Sequence, residues 1–432
     1  MDLDRRAVLT AATVATAACG VRVGPFGNVE SGDAWDRVRA RFVLDRNLID
    51  MSAMLLASHP RDVREAIERH RRALDRDTVR YLEANNQPLT DAARNAAGDY
   101  LGVPAQHIAL TDSTTMGVGL IYGSLRLRPG DEVLTSEQDY FVTHEAVRLA
   151  CARTGAVERR VALHGDAATS VSADELVYRL LAGITPRTRV VGVTWVHSST
   201  GLKMPVRQLA DALNEVNGQL DEDERILLCV DGVHGFGVED ETLDSLGCDL
   251  FAAGCHKWLF GPRGTGVVAG RDTAWRRLDT TIPSFLDDNV FGAWLARRRP
   301  QRTGEGARLS PGGFKAFEHV WALPEAFALH RAIGKADVAR RTHELASQLK
   351  EGLAGMSNVP LATPMSSALS AGIVSFNIDG ASPEAAVRRL RERNIIASAA
   401  PYARQWVRLT PSIRNTPREV DAVLAEIRGL VA

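Results

Sequence analysis

Cysteine is scarce in this 432-residue chain: Cys19, Cys151, Cys229, Cys248 and Cys255, with no CxxC pair among them. The spacings that hold zinc or run thiol–disulfide exchange are missing, and no metal site is expected. Cys229, inside the run Ile226-Leu227-Leu228-Cys229-Val230, reads as a small buried hydrophobe. An excess of either charge is missing too. Lys and Arg number 52 against 53 Asp and Glu, a formal net charge of -1, so no polyanion is called for and no nucleic-acid partner is expected. The run Arg297-Arg298-Arg299 reads as a solvated face. No GxGxxG closes a first strand with an acidic residue downstream, which argues against a nicotinamide dehydrogenase. Repeats and low-complexity tracts are absent. What remains is 45% apolar and 24% charged residues, enough for one large and one smaller globular domain.

The N-terminus is unlike the rest. Arg5-Arg6 precede Ala7-Val8-Leu9, and small uncharged residues run on to Cys19-Gly20. The stretch is shorter than the ~20 residues a bilayer span needs. It fits the apolar region of a signal peptide, and the arginine pair resembles a twin-arginine export signal. The expectation is export to the periplasm or cell envelope, with Cys19 as a candidate lipid anchor after Ala17-Ala18. An unused signal would leave a frayed N-terminal helix on a cytoplasmic protein. No later segment is apolar and long enough to be a membrane span.

Residues 21–45 read as a linker into a first helix. Val63 to Leu82 is charge-rich with apolar residues at helical spacing. Thr90 to Tyr100 reads as another helix, with Thr90 its N-cap. Then the rhythm changes. Short apolar runs at Ile108–Thr111, Val133–Thr135, Arg189–Trp195, Ile226–Val230, Leu250–Ala253 and Gly266–Ala269 alternate with helical patterns such as Val206–Val216. Strands apolar on both faces and separated by helices predict an α/β fold with a mostly parallel sheet sandwiched by helices. A long helix over Pro311–Ile333 and another over Val338–Leu353 lead to a smaller α+β unit. It has strands near Gly372–Ile378 and Trp406–Leu409, and helices near Pro383–Arg393 and Pro417–Leu430. The expected division is a signal-like segment 1–20, an N-terminal segment 21–89, a large domain 90–310 and a C-terminal domain 311–432.

Three segments carry chemistry. Val230-Asp231-Gly232-Val233-His234-Gly235 follows a buried strand, which puts Asp231 at the carboxyl end where α/β sheets place ligands. The next strand runs into Gly254-Cys255-His256-Lys257-Trp258-Leu259-Phe260-Gly261-Pro262. A partly buried lysine has a lowered pKa and a free amine for a Schiff base. A carboxylate against a pyridine nitrogen keeps that nitrogen protonated, so the ring accepts carbanion electrons. Thr111-Asp112-Ser113-Thr114-Thr115 closes a strand and opens a helix, where free N–H groups and hydroxyls suit a phosphate. Taken singly, Lys257 is a surface lysine, Asp231 a turn residue and Thr114 a cap. Together they ask for pyridoxal 5'-phosphate (PLP).

The pattern Asp-x-x-His, then His-Lys-Trp-Leu-x-Gly-Pro-x-Gly-x-Gly, resembles the class V aminotransferases. This is a fold-type-I PLP family that includes cysteine desulfurases, kynureninase and isopenicillin N epimerase. The resemblance covers roughly residues 45 to 430, takes in Val407-Arg408-Leu409-Thr410-Pro411 and Asn415-Thr416, and leans to the epimerase-like branch. It implies a seven-stranded-type sheet and a homodimer with shared active sites. It makes Lys257 the Schiff-base lysine and Asp231 the partner of the pyridine nitrogen. It sets His234 near the phenolic oxygen, with Ser199 or Thr200 close by. It gives Thr114, Thr115 and His256 to the phosphate, stacks Tyr140 on the ring, and pairs Arg408 with a substrate α-carboxylate. Thr303 would reach the phosphate of the neighbouring subunit.

Two departures matter. Many relatives have Ser three before the lysine, where this chain has Gly254. Desulfurases carry a nucleophilic Cys in a C-terminal loop, whereas Ile396-Ala397-Ser398-Ala399-Ala400-Pro401-Tyr402 has none. Cys255, beside the lysine, reads as packing. The expected function is therefore PLP-dependent chemistry at the Cα of an amino acid or related amine, transamination or epimerisation first. A β-lyase of the cysteine-sulfur or kynureninase kind, and a non-catalytic PLP-binding regulator, stand as alternatives.

Overall fold

The computed structural model describes residues 32–284, 287–301 and 303–431. The signal-like segment and Cys19 lie outside the described residues. Strand β1 (Ile49–Asp50) belongs to the C-terminal unit. The next seven form one sheet: β2 (Ile108–Thr111), β3 (Glu132–Ser136), β4 (Val157–Val161), β5 (Thr188–Thr194), β6 (Leu227–Asp231), β7 (Leu250–Gly254) and β8 (Gly266–Gly270). Their order across the sheet is β2-β8-β7-β6-β5-β3-β4. All run parallel except β8, which is antiparallel to both β2 and β7. Leu228 and Val230 pack into the core on one face, Leu227 and Cys229 into the core on the other. The neighbouring β7 splits the same way, Phe251 and Ala253 against Leu250 and Ala252. Strands covered on both faces need apolar residues at every position, which is why they stand out in the sequence.

Strand β4 does not stand out. Val157-Glu158-Arg159-Arg160-Val161 is the sheet edge, exposed or half-exposed throughout, and its charges blunt an edge open to pairing with another chain. Three helix expectations need correction. The helix expected over Val63–Leu82 breaks at Asp77, between Arg61–Arg76 and Thr78–Leu101. Thr90 caps nothing: one helix, Thr78–Leu101, runs through it from an Asp77 cap whose carboxylate accepts the Arg80 N–H. Thr90 is buried, and its hydroxyl accepts the Trp321 indole N–H at 3.4 Å. The long helix expected over 311–333 is two, Phe317–Trp321 and Leu323–Ile333. Pro324 opens the second, at a position where a missing N–H costs nothing.

The C-terminal unit adds β9 (Val374–Phe376), β10 (Ile395–Ile396), β11 (Ser398–Ala399) and β12 (Val407–Leu409). Strands β11, β12 and β9 make an antiparallel sheet, while β10 pairs in parallel with β1. Met51 packs with Leu345, Phe376, Leu390, Leu409 and Leu424 in this unit's core. The chain around residue 50 is thus built into the C-terminal half. No helix among the described residues is long and apolar enough to cross a membrane.

One glycine sets how the loops after β6 and β7 meet. Gly237 has φ 82°, and a Cβ there would lie 2.6 Å from the Leu259 nitrogen and 2.7 Å from the Trp258 carbonyl carbon. Gly237→Ala is expected to destabilise the fold by at least about 2 kcal/mol, through backbone strain and overpacking. The urea midpoint reads it, and an unchanged midpoint would mean the loops do not press together.

Candidate active site

Strands β6 and β7 are adjacent and parallel, with Asp231 opposite Ala252. Asp231 ends β6, and Lys257 follows three residues after Gly254 ends β7. Both line one cleft, together with Thr114, Thr115, Tyr140, Ser198, His234 and Arg408. The cleft opens to solvent on one side, and with that open space counted it measures about 710 Å³.

Burial tunes the two anchors in opposite senses. One Asp231 oxygen accepts the Val233 N–H at 3.1 Å. Enclosure nevertheless pushes its pKa up to about 6, with that N–H and the Lys257 charge opposing. Enclosure brings the Lys257 amine down to about 8, with Asp231 opposing and Arg408 adding to the fall. Both shifts have the same cause, the cost of a charge away from water.

His234 is buried, and its Nδ1 accepts the Trp258 indole N–H at 3.3 Å. Burial first, then the Lys257 and Arg408 charges, hold the ring neutral. With Nδ1 accepting, the ring proton sits on Nε2, so His234 offers one donor. Arg408, on β12, donates from Nε to Ser398 Oγ at 3.2 Å, from Nη1 to the Ser198 carbonyl at 2.8 Å and from Nη2 to the Ala399 carbonyl at 3.0 Å. Burial lowers its pKa to about 10, so it stays charged at neutral pH. One N–H remains on each terminal nitrogen for a ligand.

At the other end, helix Thr114–Ser124 begins. Its cap Ser113 accepts the Met116 N–H, and the first amides have no partner within the helix. The Thr114 hydroxyl accepts the Gly254 N–H at 2.7 Å, which leaves its own proton to donate. His256 lies beside it: a Cβ on Gly254 would come 2.9 Å from His256 Cε1 and 3.1 Å from Thr114 Oγ1. Glycine at 254 is what lets these two groups close in. His256 Nδ1 is buried without a hydrogen-bond partner, an acceptor or donor still to be matched.

Opposite this, Asp139 pins two strand ends, one oxygen accepting the Ser136 N–H and the other the Thr194 N–H, each at 2.9 Å. It thereby fixes Tyr140, which caps helix Phe141–Thr154 with its ring 5.6 Å from that of Tyr402.

A family model for "Aminotransferase class-V" matches residues 58–422. The chain belongs to that family. Its enzymes depend on PLP. Isopenicillin N epimerase of Streptomyces clavuligerus is 26% identical over 92% of this class V chain and 98% of its own length. The namesake from Amycolatopsis lactamdurans is 28% identical, covering 82% and 87%. A cysteine desulfurase of Synechococcus elongatus is 26% identical over 81% of this chain and 54% of its own. Among solved structures, a mutant of C-DES with glycine covalently linked to its PLP cofactor superposes with TM-score 0.78 at 21% identity, covering 90% and 98%. The apo cysteine desulfurase of Thermococcus onnurineus gives 0.77 at 19%, covering 92% and 98%. These likenesses show the fold.

The cleft fits PLP. An enclosed carboxyl waits for a cation at one end, hydroxyls and free amides for an anion at the other, and an amine stands between. Lys257, Asp231, His234, Thr114, Thr115, Tyr140 and Arg408 converge as the sequence suggested, and His256 stands just behind. Ser199 and Thr200 do not converge. Both are buried away from the cleft, and Ser198 lines it instead. The reason is the tight turn closed by Gly201, whose N–H returns to the His197 carbonyl. Gly201 sits at φ 73°, where a Cβ would meet the Ile373 carbonyl oxygen at 2.3 Å. His197 is buried with neither ring nitrogen partnered and is held neutral, near pKa 4. Thr303 lines a separate cleft with Arg94, Asp287 and Asn289. Sequence reasoning missed Ser198, Tyr402 and the Trp258 indole. The motif places Trp258 beside the lysine, but only the fold shows where its N–H points.

Two outcomes follow from the tuned pair. Reaction of the apoprotein with PLP, trapped by borohydride on the Lys257 peptide, should accelerate as pH rises from 6.5 through 8 and level off above 9, because only the free amine reacts. Lys257→Ala should trap nothing at any pH, and a retained adduct would displace Lys257 from its role. Asp231 has a folded-state pKa near 6 against an unfolded value of about 3.9. Its burial therefore costs nothing below pH 4 and progressively more as pH rises to 6, up to about 3 kcal/mol. Asp231→Asn should stabilise the apoprotein at pH 8 but not at pH 4, as thermal midpoints would reveal, while weakening retention of PLP.

Proposed function

We propose that this protein is a PLP-dependent enzyme acting at the Cα of an amino acid or related amine, by epimerisation or transamination. The observation that carries the reading is the cleft in which an amine with a lowered pKa and an enclosed carboxyl meet at adjacent strand ends, with Arg408 lining the same cleft. Bound there, the cofactor would supply an electron sink for a carbanion at Cα. The chain's own groups do the rest. Asp231 holds positive charge on the ring nitrogen. His234 Nε2–H would donate to the phenolic oxygen. Thr114, Thr115 and the helix amides take the phosphate. Arg408 grips the α-carboxylate through its two free N–H groups. Lys257 Nζ, partly unprotonated at neutral pH, removes the Cα proton. Epimerisation and transamination share that transfer and differ in where the proton is put back.

Among the described residues, sulfur transfer has no nucleophile. Cys151, Cys229, Cys248 and Cys255 are buried free thiols, and burial raises the pKa of each, that of Cys255 to about 12. A thiol held protonated is a poor nucleophile, and the segment 396–402 contributes none.

The test is incubation of the PLP-loaded protein with each proteinogenic amino acid in deuterated water. Deuterium at Cα with changed configuration, or loss of the amine, is the expected result. Release of a side chain without either would replace the reading with β-elimination. Bound PLP whose absorbance no amine disturbs would overturn it in favour of a binding protein.

A further inference from the structure

Inversion at Cα needs a proton delivered to the face opposite the one it leaves. One hydroxyl pair, of which Ser198 lines the cleft, has no part in the roles above. Ser198 Oγ and Tyr402 Oη are 2.7 Å apart. Ser198 follows β5 and lines the cleft, as does Pro401, the neighbour of Tyr402. Tyr402 lies between β11 and β12, on a loop closed by hydrogen bonds from the Ala400 N–H to the Trp406 carbonyl at 2.8 Å and from the Tyr402 N–H to the Ala400 carbonyl at 3.0 Å. Arg408 ties that loop to the Ser198 carbonyl.

The sheet order gives the pair its side. Strand β6 lies between β7 and β5, so Lys257 rises on one flank of Asp231 and Ser198 on the other, their strands ~10 Å apart. Tyr140, from the end of β3, stands further out on the second flank with its ring against that of Tyr402. A flat group anchored at Asp231 would have the amine toward one flank and the two hydroxyls toward the other. Burial keeps the Tyr402 phenol protonated, while Arg408 favours the phenolate once it forms.

We propose that Ser198 and Tyr402 are the second proton-transfer station of an epimerase, facing Lys257 across the substrate Cα; this rests on the Cα-proton chemistry proposed above. The Cα–H bond breaks, and its proton goes to Lys257 Nζ. A new C–H bond forms on the other face with the proton of Ser198 Oγ, which takes that of Tyr402 Oη in turn. The turnover leaves an ammonium at 257 and a phenolate at 402. Water accepts a proton from the first and returns one to the second, so the net change is inversion alone and no oxidant is consumed.

The experiment uses PLP-loaded wild type, Tyr402→Phe and Ser198→Ala with separate L- and D-enantiomers of the proteinogenic amino acids in deuterated water. PLP content and thermal midpoint serve as checks on folding. Wild type should invert the substrate it exchanges. In both variants inversion should fall by at least ~100-fold, the scale of lost acid–base catalysis. Exchange with retained configuration should persist from the enantiomer whose Cα–H faces Lys257 and disappear from the other. A purely structural role would slow exchange from both enantiomers alike, and that result overturns the proposal. So does inversion at the wild-type rate, or a wild type that exchanges without inverting. A wild type that exchanges no amino acid at all fails at the earlier step, the Cα reading itself.

Discussion

Removal of water from around one carboxyl and one amine is the constraint on which the site depends. In solution an aspartate and a lysine titrate more than six pK units apart. In this cleft Asp231 is near 6 and Lys257 near 8, because enclosure disfavours each charge. Neither residue is comfortable alone. The carboxyl lacks a cation directly against it, and the amine is brought toward the free base that carbonyl chemistry requires. A ligand with a basic aromatic nitrogen at one end and an aldehyde further along relieves both. The stability given up to hold this pair in the apoprotein is the familiar trade of active sites.

Holding the pair in place falls to rigid parts of the fold. The parallel strands bring Asp231 and Lys257 to neighbouring carboxyl ends, and both faces of the sheet are packed, so the ends cannot drift. Asp139 binds the ends of β3 and β5 through two backbone amides. The C-terminal unit is stitched to the N-terminal segment at Met51, whose carbonyl accepts the Thr410 N–H at 2.7 Å and hydroxyl at 2.9 Å. Two residues from Thr410, Arg408 reaches back to the Ser198 carbonyl. One short stretch of β12 therefore links the N-terminal segment, the C-terminal sheet and the cleft.

What the sequence disclosed follows from the same physics. Strands buried on both faces are written as unbroken apolar runs, so β5, β6 and β7 were legible, and with them the positions of Asp231 and Lys257. The phosphate end was legible because a helix start after a strand needs hydroxyl-bearing residues. Edge strand β4 was not, since its charged residues carry no apolar signal. Ser198, rather than Ser199 or Thr200, lines the cleft; the sequence does not say which residue a tight turn points inward, and Gly201 settles that only through its contact with residue 373. Tyr402 was invisible as a site residue. It is separated from Ser198 by 204 positions, and nothing local marks a tyrosine in a loop as a hydrogen-bond partner of the active site.

The loop that carries Tyr402 also bears on how one scaffold supports different reactions. It is held by Arg408 at the Ala399 carbonyl and by the backbone bond between Ala400 and Trp406. Whatever side chains it bears are presented beside Arg408. In this chain they include the hydroxyls of Ser398 and Tyr402, and residues 398–406 contain no sulfur. Hydroxyls at that place can donate, accept and relay protons, but they cannot take up a sulfur atom. On the proposed reading, loss of the Cα proton would depend on Asp231 and Lys257 in either case. Under the proposed chemistry at Cα, the loop above would steer the outcome, and in this chain it offers hydroxyls that can move protons.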